Sequence, residues 1–101
     1  MADQTRNDSL TVGTSNVLVS QNKGAGVRTS ILLRNNSTGG QTITLNFSDY
    51  EAAVSGYGVV LAVGQSLTDA SSEGYICWQG NINAIASGAG AVLSVYERVK
   101  G

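Results

Sequence analysis

The sequence predicts an all-β protein, a sandwich or barrel of about eight short strands. Short apolar runs alternate with polar residues, and segments rich in Asn, Ser and Gly separate them. The clearest run is 42–47, in which Ile43, Leu45 and Phe47 share one face while the residues between them share the other. The chain has 13 Gly and no Pro, so glycine supplies the turn conformations that tight hairpins need.

Taken in chain order, most of the sequence divides into predicted strands and turns. The turn segments are 21–26, 35–40, 80–81 and 87–90, and the Gly39-Gly40 pair indicates a hairpin. Residues 48–54 predict a helical turn that begins at Ser48, and residues 65–74 predict a polar crossing loop. The predicted strands are 10–12, 16–20, 27–35, 41–47, 58–63, 75–79, 83–86 and 92–99.

The length of 101 residues predicts one domain, over residues 10–101, preceded by a polar arm at residues 1–9. The arm is expected to dock either on its own domain or on a neighbour. The predicted core residues are Ile31, Leu33, Ile43, Leu45, Phe47, Ile76, Trp78, Leu93 and Val95. Because this core is thin, we expect a homo-oligomer, a dimer or a trimer.

The residue types argue against an enzyme. The chain has no His and a single Cys, so the usual general base, the commonest metal ligand and any Cys pair are missing. Cys77 is interpreted as a small buried hydrophobe. Asp49 and Glu51 would permit a hard-cation site, but solvated loop charges explain them better. A glycosidase pair of Asp49 with Asp69 or Glu73 would need a cleft that so small a domain seldom holds.

No cofactor, metal or small-molecule substrate is therefore expected. The net charge of -1, with scattered Lys and Arg, disfavours nucleic acid as a partner. Neither a signal peptide nor a membrane-length apolar run is found, so we expect a soluble chain.

The segment 80–97, Gly-Asn-Ile-Asn-Ala-Ile-Ala followed by small residues and Leu-Ser-Val-Tyr-Glu, resembles the C-terminal end of small β-rich virion proteins of tailed bacteriophages. Residues 28–35, Arg-Thr-Ser-Ile-Leu-Leu-Arg-Asn, are similar to a central strand of those proteins. The two segments are of low complexity. The resemblance implies an antiparallel β-sandwich of jelly-roll type that decorates a capsid as a cement protein, without catalytic residues.

On this interpretation the protein is made in the host cytoplasm, lies on the capsid surface of the virion and binds the major capsid protein. Two alternatives remain open. One is a carbohydrate-binding adhesion module of a virion fibre, which would need exposed rings such as Tyr50, Tyr57 and Tyr75 on one surface. The other is a head–tail joining subunit. The candidate contacts with the capsid or another subunit are Thr5, Arg6, Asn7, Arg28, Arg34, Asp49, Tyr50 and Glu51.

Overall fold

A computed structural model of the chain describes residues 3–100. These residues form eight β-strands and contain no helix. The strands are β1 (Gln4–Val12), β2 (Val17–Ser20), β3 (Arg28–Asn35), β4 (Ile43–Phe47), β5 (Val59–Leu61), β6 (Ser66–Ala70), β7 (Ile82–Ala86) and β8 (Ala91–Val99).

The strands form two four-stranded antiparallel sheets. Sheet A has the order β1-β8-β3-β6, and sheet B has the order β2-β7-β4-β5. Four of the strand pairs correspond to one long hairpin of the whole chain. They are β1 with β8, β2 with β7, β3 with β6 and β4 with β5. This hairpin is rolled up so that β3 also pairs with β8 and β4 also pairs with β7. The prediction of a hairpin through Gly39-Gly40 is wrong, because the strands on either side, β3 and β4, lie in different sheets. The arrangement is that of a jelly roll, which confirms the predicted fold class.

The core lies between the two sheets. Successive side chains of a strand point to opposite faces, so alternate residues are buried in β8 and over residues 31–35 of β3. In β4, Ile43 and Leu45 are buried, and so is Thr44 between them. Phe47 and Trp78 are partly buried and pack against this core. The predicted core residues that are buried are Ile31, Leu33, Ile43, Leu45, Leu93 and Val95.

The prediction that Ile76 belongs to the core is wrong. Ile76 is 68% exposed, because residues 75–79 form a loop and not the predicted strand. Side chains hold this loop in place: the amide of Trp78 donates to Asp69 at 2.9 Å and the amide of Cys77 donates to Ser71 at 3.1 Å. The loop therefore directs Cys77 inward, as predicted, and Ile76 outward.

The predicted crossing loop 65–74 contains a strand instead. Residues 66–70 form β6, which pairs with β3 at the edge of sheet A. Only Leu67 and Asp69 of this strand are even partly buried. The polar composition of this segment did not predict a strand, because an edge strand with one solvated face needs few apolar residues.

The first strand begins at Gln4 and not at Leu10, so residues 4–9 of the expected arm are part of sheet A. Their side chains are polar, and the backbone of β8 supplies the hydrogen-bonding partner that orders them. Residues 1 and 2 of the arm lie outside the described residues. Within residues 3–100, no helix is long and apolar enough to cross a membrane.

Candidate binding surface at the long-loop end

Consecutive strands run in opposite directions, so their connections leave the sandwich alternately at its two ends. The long-loop end carries three connections, loops 21–27, 48–58 and 71–81. The opposite end carries loops 13–16, 36–42, 62–65 and 87–90. Binding residues are often found on loops that a rigid scaffold positions, so the long-loop end is a candidate functional surface.

Arg28, the first residue of β3, lies fully buried beneath the long-loop end. Its guanidinium donates to the carbonyl oxygens of Trp78 at 2.7 Å, Gly80 at 3.1 Å and Gln21 at 3.1 Å. Arginine suits this position because its planar group presents five donors in a fixed geometry. One side chain thereby fixes loops 21–27 and 71–81 to the sandwich.

Glu97 of β8 supplies the counter-charge to Arg28. Its Oε2 atom accepts hydrogen bonds from Arg28 Nε and from Ser20 Oγ, both at 2.6 Å. Burial by itself would raise the pKa of Glu97, but the hydrogen bonds from Ser20 and Arg28 and the charges of Arg28 and Lys23 outweigh it. The pKa of this carboxyl is therefore below its usual value, and Glu97 is ionised at neutral pH.

Two partly exposed cations extend this cluster to the surface along the β1 and β2 edges. Arg6 Nη1 and Lys23 Nζ lie 3.8 Å and 4.0 Å from Oε1 of Glu97. Arg6 also donates to the carbonyl oxygen of Val19 at 2.9 Å. Arg6 thereby connects sheet A to sheet B at this edge.

Asp49 joins all three long loops. Its Oδ1 atom accepts from the backbone amide of Asn81 at 2.7 Å and from the side chain of Asn22 at 3.2 Å. The side-chain oxygen of Asn81 accepts from the backbone amide of Asn22 at 2.6 Å. Each of these residues belongs to a different loop, so the loops form one hydrogen-bonded unit.

Loop 48–58 does not contain the predicted helical turn. Ser48 Oγ does accept from the amides of Tyr50 and Glu51, each at 3.1 Å, as a helix N-cap residue would. Two asparagine side chains form hydrogen bonds with the backbone of Ala52 and Ala53. Asn46 donates to the carbonyl oxygen of Ala52 at 3.1 Å, and Asn16 accepts from the amide of Ala53 at 2.7 Å. These bonds hold the segment extended across the outer face of sheet B.

Gly58 lets loop 48–58 return to the sheet. Its φ angle is +132°, and a Cβ atom there would lie 2.5 Å from the carbonyl oxygen of Leu45. Any other residue would therefore be strained and would also collide with β4. The glycine fixes the entry of the chain into β5.

Several large side chains project from this fixed set of loops. Tyr50 is 96% exposed at the tip of loop 48–58, and Tyr75 and Ile76 are exposed on loop 71–81. The hydroxyl of Tyr75 donates to Asp69 at 2.6 Å, and this bond, with smaller effects of burial and of the Asp69 charge, raises the pKa of Tyr75. Exposed aromatic and aliphatic groups on a rigid base are the usual anchors of binding surfaces.

The contact candidates from the sequence fall into separate places. Asp49, Tyr50 and Glu51 lie together at the long-loop end. Thr5, Arg6 and Asn7 lie on β1, with Thr5 and Asn7 exposed, and Arg34 is exposed near the end of β3. Arg28 as a contact is a wrong prediction, because its side chain has no exposed surface.

Sequence reasoning did not single out Glu97 or Ser20, the partners of Arg28. For Glu97 the signal was present: it continues the alternation of Leu93 and Val95, so its side chain had to point into the core. Trp78 was expected to pack in the core, and it does so in part, while its Nε1 donates to the carbonyl oxygen of Asn81 at 2.9 Å.

Among residues 3–100, no group of three or more His, Cys, Asp or Glu side chains could hold a metal ion. Asp49 and Glu51 were the candidates for a hard cation. The carboxylate of Asp49 is occupied by the hydrogen bonds to loops 21–27 and 71–81. The groups that this surface presents to solvent include the rings of Tyr50 and Tyr75.

Neither a model of a known protein family nor a curated protein sequence matches this chain. A search of solved structures found a chain from Bacillus endospore appendages, which form a family of disulfide-linked pili. The match has a TM-score of 0.61 at 12% identity and covers 98% of this chain and 87% of that chain. At this identity the similarity shows the shared fold and does not show a shared function.

Proposed function

We propose that this protein is a structural virion protein that binds an assembled bacteriophage capsid and stabilises it, without catalysis. The observation that carries the proposal is the long-loop end. Three loops held together by Arg28 and Asp49 present Tyr50 and Ile76 to solvent. A surface ordered in advance loses little conformational entropy on binding, so a few anchors can suffice. The resemblance of segments 28–35 and 80–97 to tailed-phage virion proteins indicates the capsid as the partner.

The structural match is also to a subunit of a protein assembly, and it extends over nearly the whole chain. This supports the broader part of the proposal, that the sandwich serves as a building block. Those pili are disulfide-linked, whereas the one cysteine of this sequence, Cys77, is 2% exposed. Non-covalent binding to a larger shell therefore suits this chain better than covalent linkage through Cys77.

Binding only to the assembled shell stabilises that shell by mass action. Each occupied site contributes RT ln(1 + [L]/Kd), where [L] is the free concentration of this protein. The contributions add over the symmetry-related sites of the lattice. A modest affinity at each site can therefore protect the whole shell.

The test is co-sedimentation of the purified protein with shells assembled from the major capsid protein of the same virus. We expect saturation at a copy number that matches the lattice. The double variant Y50A/I76S should weaken binding about tenfold or more, because it removes two anchors and leaves the core intact. Leu18→Ser, a similarly apolar and exposed position on β2, is the matched control and should bind normally.

Saturation at a small, ring-like copy number would replace capsid decoration with the head–tail joining role. No binding to shells by the wild-type protein would overturn the capsid proposal. Binding unaffected by Y50A/I76S would instead exclude the long-loop end as the contact surface.

A carbohydrate-binding role is the second candidate, because Tyr50 and Tyr75 are both exposed on the long-loop end. Sugar rings stack on exposed aromatic faces, and loop amides and carboxylates supply hydrogen bonds. Titration with host-surface polysaccharide, followed by tyrosine fluorescence, distinguishes the two candidates. A saturable change that Y50A abolishes would favour the adhesion module.

A further inference from the structure

One edge of the sandwich differs from the other three in its chemistry. Segment 54–64 contains no charged residue, yet it carries five exposed apolar side chains that together we call the β5 patch. Their exposed fractions range from 37% to 76%. The β5 patch consists of Val54, Tyr57, Val59, Val60 and Val63.

The β5 patch combines the edge strand of sheet B with the turn that precedes it. Val60 pairs with Thr44 of β4, and Thr44 Oγ1 accepts from the amide of Gly56 at 3.0 Å. Gly56 lies in the turn that Val54 and Tyr57 close through their backbone bridge. The turn therefore lies beside Val60 on the outer face of sheet B, whereas Val59, opposite Leu45, points to the other face.

The other edge strands are protected in ways that β5 is not. β1 carries the charged side chains of Arg6 and Asp8. The guanidinium of Arg6 also donates to the backbone of β2. β6 carries Asp69, and the loop that follows it folds back to bond with that carboxylate. Charged side chains are a usual means of preventing edge strands from pairing, and segment 54–64 carries none.

We propose that two copies of this chain associate through the β5 patch, with β5 of one copy pairing antiparallel to β5 of the other. An uncharged patch can face its own copy without like-charge repulsion, which the acidic β6 edge cannot do. Antiparallel pairing of identical strands is compatible with a two-fold axis, the commonest symmetry of soluble oligomers. The two B sheets then form one continuous sheet, and the axis passes near Val60, the middle residue of β5.

This pairing does not depend on what the long-loop end binds. Light scattering of the purified protein should give the mass of a dimer. Val60→Lys places two ammonium groups at the axis, so we expect the dimer dissociation constant to rise at least tenfold. Leu18→Lys, an exposed apolar position on the β2 edge, is the matched control and should remain dimeric.

Cysteine cross-linking tests the register. Opposed residues of antiparallel strands have Cα atoms about 4.5–5.5 Å apart, within the range of a disulfide. Val60→Cys should therefore form a covalent dimer under mild oxidation, whereas Leu18→Cys should not. The native Cys77 is buried and should contribute little background.

Three results would overturn the inference. A wild-type protein that is monomeric at all concentrations would exclude self-association. A dimer that survives Val60→Lys and fails to cross-link through Val60→Cys uses another surface. A monomer that loses capsid binding on Val60→Lys would assign the β5 patch to the capsid protein and leave the proposed function intact.

Discussion

Strand β3 begins and ends with a fully buried polar residue, Arg28 at the long-loop end and Asn35 at the opposite end. The side chain of Asn35 donates to the carbonyl oxygens of Gln41 and Leu61, both at 2.9 Å, and accepts from the amide of Ser37 at 3.0 Å. Arg28 binds loop carbonyls in the same manner. Each residue therefore fastens the loops of its own end to the central strand.

The two ends differ in charge. A buried amide needs only hydrogen-bonding partners, whereas a buried guanidinium also needs a counter-ion. The long-loop end consequently depends on Glu97 of β8 and on the protonation state of that residue. The opposite end depends on neutral groups that do not titrate. The comparison predicts that the first end is more costly to disrupt and more sensitive to pH.

The largest effect is expected for Arg28→Met. Removing one member of a buried ion pair typically costs about 3–5 kcal/mol. Here Glu97 loses its hydrogen-bonded partner and keeps only the more distant charges of Arg6 and Lys23. Three loop carbonyls also lose their donor. We expect this loss in the free energy of unfolding measured with urea at pH 7. Arg34→Met, at an exposed position of the same strand, should change it by no more than about 0.5 kcal/mol.

The double variant R28M/E97L removes both charges of the pair. Because apolar replacements of a complete buried ion pair are often tolerated, it should be more stable than R28M alone. If R28M and R28M/E97L were equally unstable, the loss would come from the loop hydrogen bonds and not from the unpaired charge.

A smaller loss is expected for Asn35→Leu at the opposite end. This change leaves the carbonyl oxygens of Gln41 and Leu61 and the amide of Ser37 without their partner, at about 1–3 kcal/mol. Chemical denaturation measures the loss, with Asn36→Ala at the neighbouring exposed position as the control. A cost above that of Arg28→Met would contradict the ranking of the two ends.

The pH dependence of stability separates the ends further. The pKa of Glu97 is lower in the folded protein than in the unfolded chain. Its contribution is therefore complete above the ordinary carboxyl pKa of about 4.3 and is lost as the pH falls through the lower folded value. The difference in unfolding free energy between wild type and Glu97→Gln should narrow in this range. The difference between wild type and Asn35→Leu should stay constant across the same pH range.

Much of the fold followed from alternation in the sequence. The runs around Ile43 and Leu93 gave strands whose inward residues are those observed. The same alternation failed at Ile76, because a loop held by Asp69 and Ser71 sets the side-chain directions there. Long-range bonds of this kind are invisible in a local pattern.

The candidate surface was predictable only in part for the same reason. Tyr50 and Glu51 were expected at the surface, and they lie there because polar loop tips are solvated. The burial of Arg28 could not be predicted, since it requires Glu97 from a strand 69 positions away. The arrangement of the three loops around Asp49 depends on Asn22 and Asn81, which lie 27 and 32 positions from it in the chain.

The smallest effect on global stability is expected for Asp49→Ala, and it is the most local. Asp49 connects loops 21–27 and 71–81, which Arg28 already binds through their carbonyl oxygens. Removing the Asp49 carboxylate should therefore lower the free energy of unfolding by only about 1 kcal/mol. Hydrogen exchange should nevertheless become faster at the amide of Asn81, which loses its acceptor, while amides in loops 36–42 and 87–90 keep their protection. Glu51→Ala, two positions away, is the control because its side chain is exposed. Faster exchange at both ends of the sandwich would mean that the ends are coupled through β3 and that Arg28 and Asn35 do not hold their loops independently.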